Sequence, residues 1–111
     1  MSTITTHILD TALGQPAAGV AVWLSQVTGG QEQVIARSET NSDGRVTGLT
    51  PAPLPGGHYR LCADIGGYFA RSGRASLYLT AILDVQIDAA QAHYHLPLLI
   101  APYAYSTYRG S

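Results

Sequence analysis

Seven side chains in this 111-residue sequence are of types that do chemistry and stand apart from solvated filler: His7, Arg45, His93, His95, Tyr108, Arg109 and Ser111. Imidazole is the side chain best placed to take or give a proton near neutral pH. Guanidinium presents a rigid fork of donors that suits a carbonyl or an oxyanion. Phenol and hydroxyl groups add further hydrogen bonds. Such a set could activate water, hold developing negative charge and return a proton to a leaving group, as hydrolysis requires. Each residue also has a plainer interpretation. A strand histidine is commonly hydrogen-bonded or exposed, and Arg45 after a tight turn is commonly a solvated charge. Ser111 could be only the last residue, with Arg109 paired to its carboxylate. His93-x-His95 together with His7 could also supply three imidazoles to zinc. That spacing is weak evidence, because any two residues at i and i+2 of a strand satisfy it.

The elements that must position these groups are short strands. The last nineteen residues, HYHLPLLIAPYAYSTYRGS, hold two of the four histidines and four of the seven tyrosines. Strand alternation puts His93, His95 and Pro97 on one face and Tyr94, Leu96, Leu98 and Ile100 on the other. The second set is core, so the first faces solvent or another subunit. Thr3 to Leu9 is rich in β-branched residues and predicts a strand, with Thr5, His7 and Leu9 opposite Thr6, Ile8 and Asp10. Leu13 to Pro16 and Gly29-Gly30 are turns, and Asn41-Ser42-Asp43-Gly44 is the clearest turn, delivering Arg45 directly after it. Gly19 to Val27, Glu32 to Thr40, His58 to Asp64 and Leu77 to Ile87 read as strands or strand-like apolar runs. Gly67 to Gly73 predicts a short helical turn. Leu49 to Gly57, with three prolines and two glycines, is a loop. Ala92 to Ala101 and Tyr103 to Tyr108 form the last two strands, separated at Pro102. The pattern predicts an all-β fold: an antiparallel β-sandwich of seven to eight strands with one short helix.

Composition narrows the functional classes. Residues 1–111 form a single domain by length. The chain is 46% hydrophobic and only 12% charged, a balance that favours surface covered by subunit contacts. With a net charge of −1, no lysine and six scattered arginines, nothing tracks a phosphate backbone, which argues against nucleic acid. The start of the chain lacks a basic, then apolar, leader pattern, and no apolar run approaches the ~20 residues of a membrane span. We therefore expect a soluble, cytoplasmic protein that binds no membrane. Cys62, the one cysteine, is expected as a small buried hydrophobe. No nucleophile elbow, phosphate-binding glycine loop or cysteine-based zinc spacing occurs.

Thr6-His7-Ile8-Leu9-Asp10, Asn41-Ser42-Asp43-Gly44-Arg45 and the closing Tyr108-Arg109-Gly110-Ser111 together resemble the transthyretin-related 5-hydroxyisourate hydrolases of urate (purine) degradation. The resemblance runs from about Thr5 to Ser111, and the terminal YRGS is its most specific part. It implies a transthyretin-like two-sheet sandwich, assembled as a homotetramer (a dimer of dimers) with active sites at the dimer–dimer interface. It implies His7, Arg45, His95, Tyr108 and Ser111 as catalytic residues. His7, Arg45, Tyr108, Arg109 and Gly110 would bind the substrate, 5-hydroxyisourate, and no metal or other cofactor is implied. His93 lies just before the matched segment. The chain departs from the family at Leu77-Tyr78-Leu79-Thr80, where the hydrolases usually read Phe-Phe-Pro-Glu or similar, a change that bears on subunit packing more than on a matched site residue. The rival interpretation is a transthyretin-like carrier of a small planar ligand.

Overall fold

A computed structural model describes residues 1–111. Ten strand segments and one helix follow in chain order. They are β1 (Thr3–Thr5), β2 (Ile8–Asp10), β3 (Gln15–Pro16), β4 (Ala21–Thr28), β5 (Gln31–Glu39), β6 (Gly57–Ala63), α1 (Ile65–Arg71), β7 (Ala81–Ile87), β8 (His93–His95), β9 (Leu98–Ala101) and β10 (Ala104–Thr107). One four-stranded sheet has the order β5-β4-β6-β7 and is antiparallel throughout. The other has the order β10-β9-β2-β3, and the β1-β8 pair lies along the same two chain runs. Within this second sheet the first strand pairs parallel to the histidine strand, Thr5 opposite His95 and Ile8 opposite Leu98. The expected sandwich is present, with this parallel seam added at its middle.

The seam corrects two details. Thr3 to Leu9 is not one uninterrupted strand, and Pro97 does not face outward with His93 and His95; it is buried. Pro97 sits where the second run is interrupted, between β8 and β9. The ladder breaks opposite it and resumes on either side, with Leu96 N–H donating to the Thr5 carbonyl and Leu98 N–H to the His7 carbonyl, both at 2.9 Å. The Thr6 hydroxyl donates to the Leu96 carbonyl at 2.7 Å and closes the gap. Counting each interrupted run once leaves eight strands.

Alternation holds in the first half of β4 and at the start of β7, but not in β5, which is mostly exposed, nor at the register shift between Leu24 and Ser25. Val20, Val22 and Leu24 meet Tyr59, Leu61 and Ala63 from the first sheet, and Ile4, Ile8, Tyr94, Leu96, Leu98 and Ile100 from the second, in one continuous core. Burying such a side chain contributes about 1.5–3 kcal/mol. Ile4, Ile8, Leu98 and Ile100 therefore anchor the two runs whose opposite faces carry His7 and His95. The helix starts at Ile65, earlier than expected, because the Asp64 carboxylate caps it by accepting from Gly67 N–H at 3.0 Å. It ends at Arg71, one residue before its Ser72 cap and two before Gly73. The Leu77–Thr80 stretch is not part of β7, and Leu77 and Leu79 are exposed. It ties neighbours together instead: Leu77 N–H donates to the Pro102 carbonyl, and Gly66 N–H to the Leu79 carbonyl. Gln15-Pro16, expected in a turn, adds a two-residue strand to β2. Cys62 is buried as expected, and burial pushes its thiol pKa up. No helix is long and apolar enough to cross a membrane.

Candidate active site

His7 and Arg45 are brought together by the Asn41–Gly44 turn. The Asn41 side chain accepts from Asp43 and Arg45 N–H, at 2.9 and 3.0 Å, which folds the turn on itself. Gly44 takes φ +75°, and a Cβ there would strike the Ile8 carbonyl oxygen, so only glycine fits. Its carbonyl accepts from Ile8 N–H at 2.8 Å, which stitches the turn to the edge of β2. The result is an isolated antiparallel bridge between His7 and Arg45. His7 Nε2 lies 2.8 Å from the Asp43 carbonyl. A carbonyl only accepts, so Nε2 carries the proton and Nδ1 is the free nitrogen of the neutral ring.

His95 enters from the other side of the first strand, through the parallel seam. Its Nδ1 lies 2.8 Å from the Thr5 hydroxyl, whose oxygen is also 3.1 Å from His93 Nε2. The tail backs the ring: Gly110 N–H donates to the His95 carbonyl at 2.8 Å. A Cβ at Gly110 would stand 2.7 Å from His95 Cδ2, so the glycine of the YRGS tail lets backbone lie against the imidazole. Burial lowers the His95 pKa below its ordinary 6.5, and the nearby charges of Arg45, His7 and His93 lower it further. The ring is therefore neutral at pH 7 and ready to accept a proton.

His7, Arg45, His95 and Gly110 thus form one surface. The remaining expected residues are placed differently. Tyr108 is 58% exposed and Ser111 is exposed, both on the solvent side of the tail. Arg109 does not pair with a carboxylate; its guanidinium stacks 4.6 Å from the centroid of Tyr94 and reaches the Gln91 side chain at 3.4 Å. His93 is exposed, with Nδ1 at 2.7 Å from the Thr3 hydroxyl and Nε2 at the Thr5 hydroxyl. Both its nitrogens are engaged, which leaves a three-imidazole zinc set without a free nitrogen on His93. Thr5 went unrecognised among the candidate residues, although strand alternation had placed it on the His7 face. The hollows of the single chain lie elsewhere, such as one of about 220 Å³ beside His58 and Asp84 on the first sheet. The His7–His95 surface is an open wall rather than an enclosed pocket.

Fold and site together define a class: a small β-sandwich with imidazoles and a guanidinium on an open face, suited to a compact polar ligand. The HIUase/Transthyretin family model matches residues 4–110, and the chain belongs to that family. It is 44% identical to a 5-hydroxyisourate hydrolase of Caulobacter vibrioides, over all of both chains. It is 45% identical to 5-hydroxyisourate hydrolase 2 of Rhizobium meliloti, covering 97% of this chain and 95% of that one. The structure of Klebsiella pneumoniae 5-hydroxyisourate hydrolase superposes with a TM-score of 0.89 at 49% identity, covering 100% of this chain and 94% of that one. A sea bream transthyretin in complex with thyroxine superposes equally well, with a TM-score of 0.91, but at 31% identity, over 96% and 93% of the two chains. Backbone similarity therefore does not separate enzyme from carrier; side chains must.

Proposed function

We infer that this chain is a 5-hydroxyisourate hydrolase of urate degradation, acting as one domain over residues 1–111. The observation that carries this is the convergence of His7, Arg45 and His95, with the tail glycine against the His95 ring. The higher identity to hydrolases than to a thyroxine-bound transthyretin supports it. A carrier of a planar ligand has no need of two imidazoles beside an arginine.

In this mechanism Arg45 donates to a substrate carbonyl and stabilises the oxyanion that forms there. His95, neutral and with a lowered pKa, takes a proton from the attacking water. His7, with Nδ1 free, orients that water or returns a proton to the leaving nitrogen. Opening of the six-membered ring at an amide-like bond releases 2-oxo-4-hydroxy-4-carboxy-5-ureidoimidazoline. Tyr108 and Ser111, exposed on the tail, supply further hydrogen bonds to the substrate, whereas Arg109 must leave the Tyr94 ring to do so.

Assembly belongs to the same proposal. An open wall holds a small polar molecule poorly, since small-molecule sites enclose most of a ligand's surface. A homotetramer, a dimer of dimers, would close the wall with a second copy. Low charge, the unpaired edges of β7 and β10, and exposed Leu77, Leu79 and Tyr103 support such contacts. Light scattering should then give a mass near four times the 11.7 kDa chain. A cytoplasmic location completes the proposal.

The deciding experiment generates 5-hydroxyisourate in situ with urate oxidase and follows its absorbance decay with the pure protein added. Decay no faster than the spontaneous rate sinks the hydrolase reading. Activity that survives dialysis against a chelator separates this mechanism from a zinc-dependent one.

A further inference from the structure

Thr5 sits between two imidazoles. Its hydroxyl oxygen is 2.8 Å from His95 Nδ1 and 3.1 Å from His93 Nε2. His93 Nδ1 is in turn 2.7 Å from the Thr3 hydroxyl, and Thr3 Oγ1 is 3.4 Å from the Ala92 carbonyl. The arrangement follows from the parallel register, which sets Thr3 opposite His93 and Thr5 opposite His95. It forms a line of alternating hydroxyls and rings: His95, Thr5, His93, Thr3, Ala92.

A hydroxyl has one proton to donate, and a neutral imidazole has one donating and one accepting nitrogen. The line therefore has two possible senses. In one, His95 Nδ1–H donates to Thr5, the Thr5 hydroxyl donates to His93 Nε2, His93 Nδ1–H donates to Thr3, and the Thr3 proton ends on the Ala92 carbonyl. Every contact is used, and His95 Nε2 is left as a bare lone pair. In the other sense all protons run toward His95, the Thr3–Ala92 contact has no proton, and His95 carries its remaining proton on Nε2. The first sense satisfies one more contact, the one to the Ala92 carbonyl.

We propose that Thr5 is a positioning residue of the hydrolase: it fixes His95 as the Nδ1–H tautomer, so that Nε2 is the nitrogen that accepts the proton of the attacking water. This rests on the hydrolase mechanism proposed above and goes beyond it by assigning the nitrogen and the group that sets it. Proton flow is balanced. Water gives its proton to Nε2, the resulting imidazolium keeps its Nδ1–H bond to Thr5, and the charge is relieved when the leaving nitrogen is protonated. Tautomer control by the partner of the second ring nitrogen is a general device of imidazole catalysis.

The test uses the full chain and two readouts. Long-range proton–nitrogen NMR of the protein at neutral pH should show His95 with Nδ1 protonated and Nε2 bare. Thr5→Val, which keeps the shape and removes the hydroxyl, should abolish that preference. It should also lower kcat by about 100-fold, the low end of what a positioned base contributes, with KM changed less than about threefold. Thr5→Ser should restore both. A wild-type His95 with Nε2 protonated overturns the proposal, as does Thr5→Val with an unchanged tautomer and rate. If Thr5→Val fails to fold, His93→Phe removes the group that accepts from Thr5 and carries the same expectations. The NMR result needs no substrate. A protein with the expected tautomer but no turnover would therefore refute the hydrolase reading and leave the proton arrangement standing.

Discussion

Two polar clusters hang on the first strand run, and their difference separates what holds the fold from what works on a ligand. At the end of β2, Asp10 is completely buried. One carboxylate oxygen accepts from Ala12 and Leu13 N–H at 3.1 Å each; the other accepts from the Tyr68 hydroxyl at 2.8 Å and Arg74 at 2.6 Å. Arg74 also lies over the Phe69 ring at 5.0 Å. Charge is balanced and both carboxylate oxygens are filled, and only the buried Nη1 of Arg74 is without a partner. Five residues earlier, at Thr5, begins the other cluster. Thr5, His7, His93, His95 and Arg45 take part in none of the chain's four ion pairs. It has one sign of charge, free ring nitrogens and an open face. A satisfied cluster rigidifies the sandwich; an unsatisfied one of uniform sign attracts electron-rich groups.

The comparison can be broken at either end. The largest effect is expected at the open cluster. His95→Ala or Arg45→Ala should lower kcat/KM by about 10²- to 10⁴-fold while the thermal midpoint stays within a few degrees of wild type. A melting curve shifted as strongly as the activity would mean that this cluster, too, is structural. Next comes the closed cluster. Asp10→Ala removes one partner of a buried ion pair, so denaturant unfolding should show a loss of about 3–5 kcal/mol. Turnover per folded molecule should be nearly unchanged. Smaller again is Gly110→Ala. Its methyl would press on His95 Cδ2 and displace the ring, costing about 10-fold in kcat with no change in stability beyond about 1 kcal/mol.

The smallest effects are in pH dependence, and they differ in sign and window. The folded His95 pKa lies below 6.5 because burial and neighbouring cations disfavour the imidazolium. Below pH 6.5 the unfolded chain takes up this proton first, so stability falls as pH drops through the window between 6.5 and the folded value. Activity should follow the same acid limb, and His95→Gln should remove the site's contribution to it. Burial alone would raise the Asp10 pKa, but the hydrogen bonds from Arg74 and Tyr68 outweigh it and hold the carboxyl below 3.8. Its stabilisation is present above 3.8 and is lost only as pH falls below that. Titration of wild type, Asp10→Asn and His95→Gln, followed by unfolding free energy, separates the two windows.

Much of this was readable in the chain alone. Period-two alternation sorted Tyr94, Leu96, Leu98 and Ile100 inward and set Thr5 and His7 on a common face, because burial acts on each strand locally. The Asp43-Gly44 pair announced the turn that presents Arg45, since a tight reversal needs a residue that tolerates positive φ. Tertiary structure decided what depends on partners far along the chain. Parallel pairing brings Thr5 against His95, 90 residues apart, and no local pattern encodes that register. The same pairing engaged both nitrogens of His93, and packing of the tail laid Arg109 over the Tyr94 ring. The sequence determined which side chains were available for hydrolysis. Only the packed seam decided which imidazole nitrogen meets water, because a tautomer is set by the hydrogen-bond partner and not by the residue that carries it.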